Sequence, residues 1–354
     1  MFPESYSQGR RRFLDLVANT SGTHYEFPHP ATGPQQAALS LDVASWGNAS
    51  AANVLLITSG THGIEGFAGS GVQATLLSED LPEQLSADTR LIMVHAINPY
   101  GFAWQRRVNE DNVDLNRNFI DHDAAHPRNE NYAVFADFVA PAEWTDATPA
   151  AIANSIFEQV GLHGLEWAQA ALTGGQYDFP DGFFYGGRQP TWSNRTMREV
   201  ARRFLTDAER VLVIDVHTGL GAHGEAECII EYAPDSELHR IASQVWGERI
   251  KSTLSGRSQS AAVSGSMISG LSAEIGPQLI GTGLEYGTVQ MTEVMMAMLA
   301  DQWLHRFGDI ESEQGQAIKA EMRRVFYPDD PAWRDAVMEI ARDVVGSALD
   351  YLAG

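Results

Sequence analysis

The chain has 354 residues, of which 44% are hydrophobic, and this length and composition suit a folded globular protein with a large core. It carries 46 acidic against 24 basic residues, a formal net charge of −22. This negative charge argues against nucleic acid and anionic membranes as partners, because both are bound through clustered cations. A single cysteine, Cys228, excludes an internal disulfide framework.

The first twenty residues are polar and then amphipathic, a pattern that predicts a helix and does not resemble a signal peptide. No apolar run approaches the roughly 18 residues that a membrane-spanning helix needs. We therefore expect a cytoplasmic protein of bacterial type without a membrane partner. A homo-oligomer is compatible with the sequence.

Strands and helices alternate along the chain after the N-terminal helix. An alternating strand is predicted at 38–46, a short buried strand at Val54–Ile57, and a helix rich in small residues at 67–79. The later predicted elements are a strand from 89 to the turn signal at 98–99, helices at 151–175 and 191–207, strands at 210–221, 227–233 and 281–289, and helices from 289 to 352. Ser193 is the candidate N-cap of the helix at 191–207. This order predicts an α/β protein with a mixed, largely parallel central sheet and helices on both faces.

No internal repeat, linker or low-complexity segment divides the chain. We therefore predict a single domain over residues 1–354, with an insertion at about 120–195. The insertion is irregular up to about residue 150. It then contains the helical stretch at 151–175 and a loop rich in glycine and aromatic residues, GGQYDFPDGFFYGGRQP.

Two of the predicted strands lead into a histidine: VLLITSGTH ends at His62, and VLVIDVH ends at His217. Because open parallel sheets bind ligands at the carboxyl ends of their strands, both imidazoles are expected at one rim. Glu65 follows His62 by three residues, and the surrounding glycines allow a tight turn. Two imidazoles and one carboxylate form a known zinc site that leaves one position for water. The sequence therefore predicts one zinc ion on these three side chains.

Two other patterns offer competing metal sites. A second H-x-x-E, His163 and Glu166, falls inside the predicted helix at 151–175, where a solvated or lid-like face is the favoured interpretation. A second ion stays open at four side chains of the insertion, although a solvated loop is favoured there. These four are Asp121, His122, Asp123 and His126.

The segment GLGAHG at 219–224 has the form G-x-G-x-x-G, which occurs in dinucleotide-binding proteins. Such a site needs a helix to begin at the glycines, and the following EAECIIEYA predicts a strand. We interpret the glycines as a turn beside His217. The absence of any G-x-S-x-G elbow argues against a serine hydrolase. His95 lies in the middle of a strand and is interpreted as a core histidine.

A polar loop, NPYGFAWQRRVNEDNVDLNRNF, occupies residues 98–119. It contains Arg106, Arg107, Asn116 and Arg117. In so acidic a chain these guanidinium groups suit an anionic substrate, because they bind carboxylates through two parallel hydrogen bonds.

Two carboxylates near the predicted strand ends are further candidates. Glu285 lies among small and apolar residues in GTGLEYGT, where partial desolvation raises the pKa of a carboxyl toward that of a proton shuttle. Asp215 precedes His217 by two residues and lies on the same side of its strand. It either orients that histidine or bonds a neighbouring turn.

Together these motifs resemble the zinc carboxypeptidase superfamily, including its aspartoacylase and succinylglutamate desuccinylase relatives. GTHGIEG is similar to the first metal motif of the superfamily and IDVHTG to the second. NP.G…R…DLNRNF is similar to the segment with the substrate-binding arginines, and LEYGT to the segment with the catalytic glutamate. The matching segments cover about 53–119, 211–221 and 280–290. The whole combination is most similar to a poorly characterised bacterial branch.

The resemblance implies a zinc-dependent hydrolase with an α/β/α sandwich fold. It implies that His62, Glu65 and His217 are the metal ligands and that Glu285 is the catalytic base. It also assigns roles to the polar loop: Asn116 and Arg117 hold the substrate carboxylate, and Arg107, with Arg106 as its neighbour, polarises the scissile carbonyl. The tyrosine that the superfamily places over its substrate stays unassigned among Tyr177, Tyr185 and Tyr232.

Three functions stay open. The chain is a peptidase that releases a C-terminal residue, a deacylase of N-acyl amino acids, or a non-catalytic binding protein. The first two share one set of residues and one kind of partner, a peptide or N-acyl amino acid with a free carboxylate. Retention of Glu285 beside the metal ligands argues against the third, since a binding protein does not need the base.

Overall fold

One mixed sheet of eight strands organises the molecule, seen here in a computed structural model that describes residues 1–256 and 258–354. The strands are β1 (Thr23–Thr32), β2 (Ala38–Trp46), β3 (Asn53–Ser59), β4 (Thr89–His95), β5 (Arg210–Thr218), β6 (Ala226–Ile230), β7 (Ile250–Ser252) and β8 (Leu279–Tyr286). Their order across the sheet is β1-β2-β4-β3-β5-β8-β6-β7.

The helices lie before, between and after these strands. In the first half of the chain they are α1 (Tyr6–Asn19), α2 (Gly66–Ser78), α3 (Pro99–Ala103), α4 (Ala133–Val139), α5 (Thr148–His163) and α6 (Leu165–Thr173). In the second half they are α7 (Trp192–Phe204), α8 (Glu237–Trp246), α9 (Met267–Ile275), α10 (Met291–Phe307), α11 (Glu313–Phe326) and α12 (Pro331–Ala353). None of the helices that the structure describes has both the length and the apolar character needed to cross a bilayer.

The centre of the sheet is parallel, as predicted. Strand β3 pairs in parallel with β4 and with β5, and β5 pairs in parallel with β8. The strands β1, β2 and β6 add antiparallel pairings on either side of this centre. The carboxyl ends of β3, β5 and β8 therefore meet at one edge, which is where polar side chains accumulate.

Both faces of the sheet are covered, which confirms the predicted layers. Alternate residues of β3 point to opposite sides: Leu55 and Ile57 belong to a core with α1, α2 and α12, whereas Val54 and Leu56 belong to a core with α7 and α9. All seven residues of β3 are buried, and this explains why its middle, residues 54–57, is continuously apolar rather than alternating.

Several local features differ from the sequence predictions, and α8, β7 and α9 fall in a stretch for which no element was predicted. Strand β1 was not predicted, because it contains two prolines, which argue against a strand inside a sheet. An edge strand tolerates proline, and β1 lies at the edge of this sheet. Helix α4 forms within the stretch predicted as irregular. The predicted helix at 151–175 is two helices, since Gly164 adopts a φ of +90° between α5 and α6. The N-cap of α7 is Thr191 rather than Ser193, because the Thr191 side chain accepts the Asn194 N–H at 3.2 Å.

Residues 120–190 add no strand to the sheet. Their helices α4 to α6 enclose a small apolar core of their own, which includes Tyr132, Phe135 and Leu172 and packs against Leu299 of α10. This segment lies beside the carboxyl ends of the central strands, because the side chains of Gln169 and Thr173 border the same cavity as His62.

Candidate metal centre

A tight turn after β3 carries the first two predicted ligands, His62 and Glu65. The turn is held by Arg106 and Arg107 of the polar loop, whose backbone carbonyls accept the N–H of Ile64 at 2.7 Å and of Gly63 at 3.1 Å, respectively. At Gly63 a Cβ atom would lie 2.0 Å from the backbone carbon of Gly101 in α3. Only glycine fits there, because the backbone of the turn packs directly against the backbone of α3.

The three predicted ligands converge. One nitrogen or oxygen from each of His62, Glu65 and His217 lies within 4.8 Å of the others, and all three side chains are buried. His62 Nδ1 is 2.9 Å from Glu65 Oε1, and His217 Nδ1 is 2.7 Å from Glu65 Oε2. Both imidazoles thus present the same ring nitrogen to one carboxylate.

Each histidine is held from behind by a buried aspartate. His217 Nε2 lies 2.6 Å from Asp215 Oδ2, and His62 Nε2 lies 3.3 Å from Asp114 Oδ1. Of the two readings of Asp215, the structure supports the orienting one, and its carboxylate also accepts the hydroxyls of Thr58 at 2.6 Å and Thr61 at 2.9 Å. Such carboxylate–histidine pairs fix the ring orientation and tautomer of metal-ligating histidines.

The charges of this group show that it suits a cation. Burial alone would raise the pKa of Glu65, but His62 and His217 outweigh it and hold the pKa of this carboxyl well below its usual range. Burial alone would lower the pKa of His217, but Asp215 and Glu65 raise it well above its ordinary value. Positive charge is thus strongly favoured between these side chains, and a divalent cation would supply it. Two imidazoles and one carboxylate match the donor set of an open zinc site.

Glu285 lies at the end of β8, directly beside His217, its register partner in β5. Its side chain is 7% exposed, and its Oε1 accepts the Leu220 N–H at 2.9 Å. Burial, together with the negative charge of Glu65, raises the pKa of Glu285 to about 8. A carboxyl with a raised pKa next to a metal site has the properties of a proton shuttle.

Arg107 lies against the metal group. Its Nε donates to Asp114 Oδ2 at 3.0 Å, and its Nη1 lies 3.3 Å from Glu65 Oε1. Burial alone would lower the pKa of Arg107, but Asp114 and Glu65 raise it. This guanidinium therefore keeps its charge beside Glu65 and the two histidines.

Asn116 and Arg117 border the same cavity as the metal group. Arg117 donates to the Thr173 carbonyl at 2.6 Å, but its buried Nε has no hydrogen-bond partner among the residues that the structure describes. The ring of Phe184 lies over Arg117 and Arg107, with centroid distances of 5.2 and 5.4 Å.

Arg106 is not brought into this group. Its guanidinium turns away from the metal ligands and pairs with Asp301 of α10 at 3.2 Å, and Asp301 also pairs with Lys319 of α11. The backbone of Arg106, rather than its side chain, supports the metal-binding turn. The predicted substrate contact of Arg106 is therefore corrected to a structural ion pair.

The three candidate tyrosines lie at different places. Tyr232 borders the cavity, and its hydroxyl accepts the Gly281 N–H at 2.8 Å. Tyr177 instead donates to the Arg117 carbonyl at 2.6 Å, and Tyr185 pairs its backbone with Gln176. No tyrosine is thereby assigned a role over the substrate.

The competing motifs do not form comparable groups. His163 and Glu166 are exposed and belong to different helices. The rings of His122 and His126 are 5.2 Å apart, but His122 Nε2 bonds the Asn118 carbonyl at 2.8 Å, and the only potential metal group found within residues 1–256 and 258–354 is the one around Glu65. The GLGAHG segment leads into strand β6 and not into a helix.

A cavity of about 350 Å³ joins these residues into one site. Its polar wall contains the metal-facing and arginine side chains, and its apolar wall comes from α10 and the Phe183–Phe184 pair. Sequence reasoning missed Asp114 and Phe184. Asp114 could have been found, since it opens the DLNR motif, whereas Phe184 sits among several aromatic residues that sequence alone does not distinguish.

The structure has a carboxypeptidase-like α/β fold. The structure is similar to carboxypeptidase A from Helicoverpa armigera, with 14% identity, a TM-score of 0.51, and coverage of 90% of this chain and 73% of that one. It is also similar to bovine thrombin-activatable fibrinolysis inhibitor, solved in complex with tick carboxypeptidase inhibitor, with 10% identity, a TM-score of 0.51, and coverage of 99% and 97%. At these identities the likeness establishes the fold.

The family model described as "Protein of unknown function (DUF2817)" matches residues 2–340, and the chain belongs to this family. Among solved structures, the succinylglutamate desuccinylase from Chromobacterium violaceum also matches, with 17% identity, a TM-score of 0.39, and coverage of 90% of this chain and 74% of that one. No match was found among curated proteins.

Proposed function

We propose that this chain is a zinc-dependent hydrolase that cleaves an amide bond next to a free carboxylate. The observation that carries the proposal is the convergence of His62, Glu65 and His217 in one cavity with two arginines and Glu285. The first group suits a zinc ion, the arginines suit a carboxylate, and the glutamate suits proton transfer. One ion is proposed.

Each residue around the metal group has its own proposed role in the hydrolysis. Zinc, when bound by His62, Glu65 and His217, supplies a Lewis acid and lowers the pKa of a water molecule toward neutrality. Glu285 accepts the proton of the attacking water and returns it to the amine that leaves. Arg107 faces the negative charge that develops on the carbonyl oxygen, an effect worth about 3–4 kcal/mol for one well-placed donor.

Substrate orientation falls to Asn116 and Arg117. A carboxylate bound at the guanidinium of Arg117 would place the neighbouring amide bond toward the metal group. Phe184 stacks on both arginines and holds their guanidinium planes. The aspartates Asp114 and Asp215 keep the ligand rings in the orientation that metal binding needs.

A peptidase and a deacylase of N-acyl amino acids would use these same residues. The cavity of about 350 Å³ lies near the lower end of small-molecule sites, and the segment 120–190 borders it. This volume favours a dipeptide or an N-acyl amino acid over the end of a long peptide. We therefore keep the deacylase as the second candidate.

The test is a comparison of wild-type protein with Glu285→Gln. Purified protein is expected to hold one zinc ion per chain by elemental analysis, and to hydrolyse members of a panel of N-acyl amino acids and short peptides. Glu285→Gln should keep the zinc and lose about 10²- to 10⁴-fold in kcat, since it removes only the proton acceptor.

Glu209→Gln is the matched control, because Glu209 is exposed and lies outside the cavity. Unchanged kcat in Glu285→Gln would remove this residue from the mechanism. A protein that retains no divalent ion and cleaves no member of the panel would leave only the non-catalytic binding protein. The cytoplasmic location and the homo-oligomer stay predictions.

A further inference from the structure

The floor of the cavity is one face of the sheet. Along β8 the cavity borders Gly281, Gly283 and Glu285, which alternate as residues on one side of a strand must. The neighbouring strand β6 contributes Ile229 to this face, and Glu231 follows at the same alternation. The floor thus runs from Glu285 at one end to Glu231 at the other.

The register gives the position of Glu231 along this floor. Strand β6 is antiparallel to β8, and Ile229 is the partner of Gly283. Glu231 lies two residues after Ile229, so it comes opposite Gly281. At the usual rise of a strand, this position is about 7 Å from Gly283 along the sheet. A carboxylate therefore lies some distance along the sheet from the metal group, within the same cavity.

The floor is open next to the metal group and covered further along. At Gly283 a Cβ atom would meet nothing closer than His217 Cδ2 at 3.5 Å, so the space over this residue is free. At Gly281 a Cβ atom would lie 2.6 Å from the side chain of Ile268, which covers the floor there. Because Ile268 borders the same cavity, a group that extends from the metal centre toward Glu231 would pass over Gly283 and along the Ile268 side chain.

Glu231 is held in place by neutral donors. Its Oε2 accepts the Ser266 hydroxyl at 2.6 Å and also that of Ser269. No lysine or arginine among the residues that the structure describes forms an ion pair with it. The carboxylate is half-buried, and a charge in such a place is normally paired.

The apolar part of the cavity suits an aliphatic stem. It contains Val294, Met295 and Met298 from α10, flexible or branched apolar side chains that pack against methylene groups. The cavity therefore offers guanidinium groups for a carboxylate, an apolar path, and a single carboxylate at the far end.

We propose that Glu231 binds a cationic group of the substrate, so that the amino acid released by this site carries an ammonium or guanidinium side chain. This inference rests on the proposed function, which places the substrate carboxylate at Asn116 and Arg117. The cationic end then replaces solvent at Glu231, and Ser266 and Ser269 keep the carboxylate aimed at it.

The experiment compares zinc-loaded full-length protein on three substrates of matched length, benzoylglycyl-lysine, benzoylglycyl-arginine and benzoylglycyl-leucine. Wild-type protein should prefer the two cationic substrates in kcat/KM. Glu231→Gln should lower kcat/KM for these two by about 10- to 100-fold, the usual worth of a hydrogen bond to a charged group. Hydrolysis of the leucine substrate should change little. Glu231→Asp, which keeps the charge, should retain most of the preference.

A binding measurement separates this inference from the proposed function. Calorimetry gives the Kd of free lysine, arginine and leucine for wild type, Glu231→Gln and the control Glu225→Gln, whose exposed carboxylate lies outside the cavity. Hydrolysis without a Glu231-dependent preference would overturn the inference and leave the proposed function intact. No hydrolysis together with Glu231-dependent lysine binding would overturn the proposed function and support the cation subsite. Loss of both would overturn both.

Discussion

Each metal-facing histidine is supported by an aspartate from a different part of the chain. Asp215 lies two residues before its histidine in β5, whereas Asp114 comes from the polar loop and also bonds Arg107. The carboxylate of Asp114 therefore contacts both a metal-facing histidine and the arginine beside the metal group. Removing this carboxylate should affect metal binding as well as substrate turnover.

We predict that Asp114→Asn weakens zinc binding by about 10- to 100-fold, because the amide no longer fixes the tautomer of His62. Competition with a chromophoric chelator measures the affinity. Asp121→Asn, a change of the same kind at an exposed position of the same segment, should leave it unaltered. Equal affinities in the two variants would show that Asp114 does not orient its histidine.

The convergence of His62, Glu65 and His217 could be predicted from the sequence, because the two histidines come at or just after the ends of parallel strands that share one edge. The role of metal ligands came from the resemblance of the motifs and stays a prediction. Arg106 could not be separated from Arg107 in the same way, since adjacent residues of a loop point in directions that only the fold decides. Glu231 carried no motif, and its position became evident from the register between β6 and β8.

At the level of whole elements, the central strands followed from their apolar runs. Strands β3, β4 and β5 are buried on both faces, so hydrophobic content alone identified them. Strand β1 and helix α4 were harder to predict, since one lies at an edge with two prolines and the other is only seven residues long. Short or edge elements depend on tertiary contacts more than on local pattern.

The start of α7 offers a test at this level. The Thr191 hydroxyl accepts the Asn194 N–H and bonds Asn118 Oδ1 at 3.1 Å, so Thr191→Ala should lower the free energy of unfolding by about 1–2 kcal/mol. Urea denaturation measures the change. Ser193→Ala should have a much smaller effect, because Ser193 lies inside the helix and caps nothing. A larger loss in Ser193→Ala would restore that residue as the cap.

At the scale of the whole molecule, two arginines border the cavity although the chain is strongly acidic. The net charge is −22, yet the cavity contains Arg107 and Arg117. Composition predicted a protein that does not bind polyanions, and it could not predict where the two arginines lie, because charge balance carries no information about position. The cavity also borders Asp215, Glu231 and Glu285, so its arginines lie among carboxylates and do not form a positive patch.

Acid sensitivity of the whole domain should depend in part on His95. Burial lowers the pKa of His95 to about 4 from an ordinary 6.5, so the folded state keeps this ring neutral while the unfolded state binds a proton. Stability from this source is complete above pH 6.5 and falls as the pH drops toward 4. The loss reaches about 3 kcal/mol, from 1.36 kcal/mol per pKa unit.

Urea unfolding at several pH values between 7.5 and 4.5 measures this dependence. The variant His95→Gln should show a shallower decline, whatever its stability at neutral pH. His305, whose pKa burial lowers to about 3, adds a similar dependence that the variant retains. Identical slopes in variant and wild type would show that His95 is not the group responsible.

The contact between Gly63 and Gly101 limits how this metal centre can be redesigned. A Cβ atom added at Gly63 would lie only 2.0 Å from the backbone carbon of Gly101. The turn therefore has no room for a segment of a different length. A change of metal preference must therefore come from exchanging donor atoms at fixed Cα positions. Insertions or deletions between the two ligands of this turn would displace α3 before they altered the coordination.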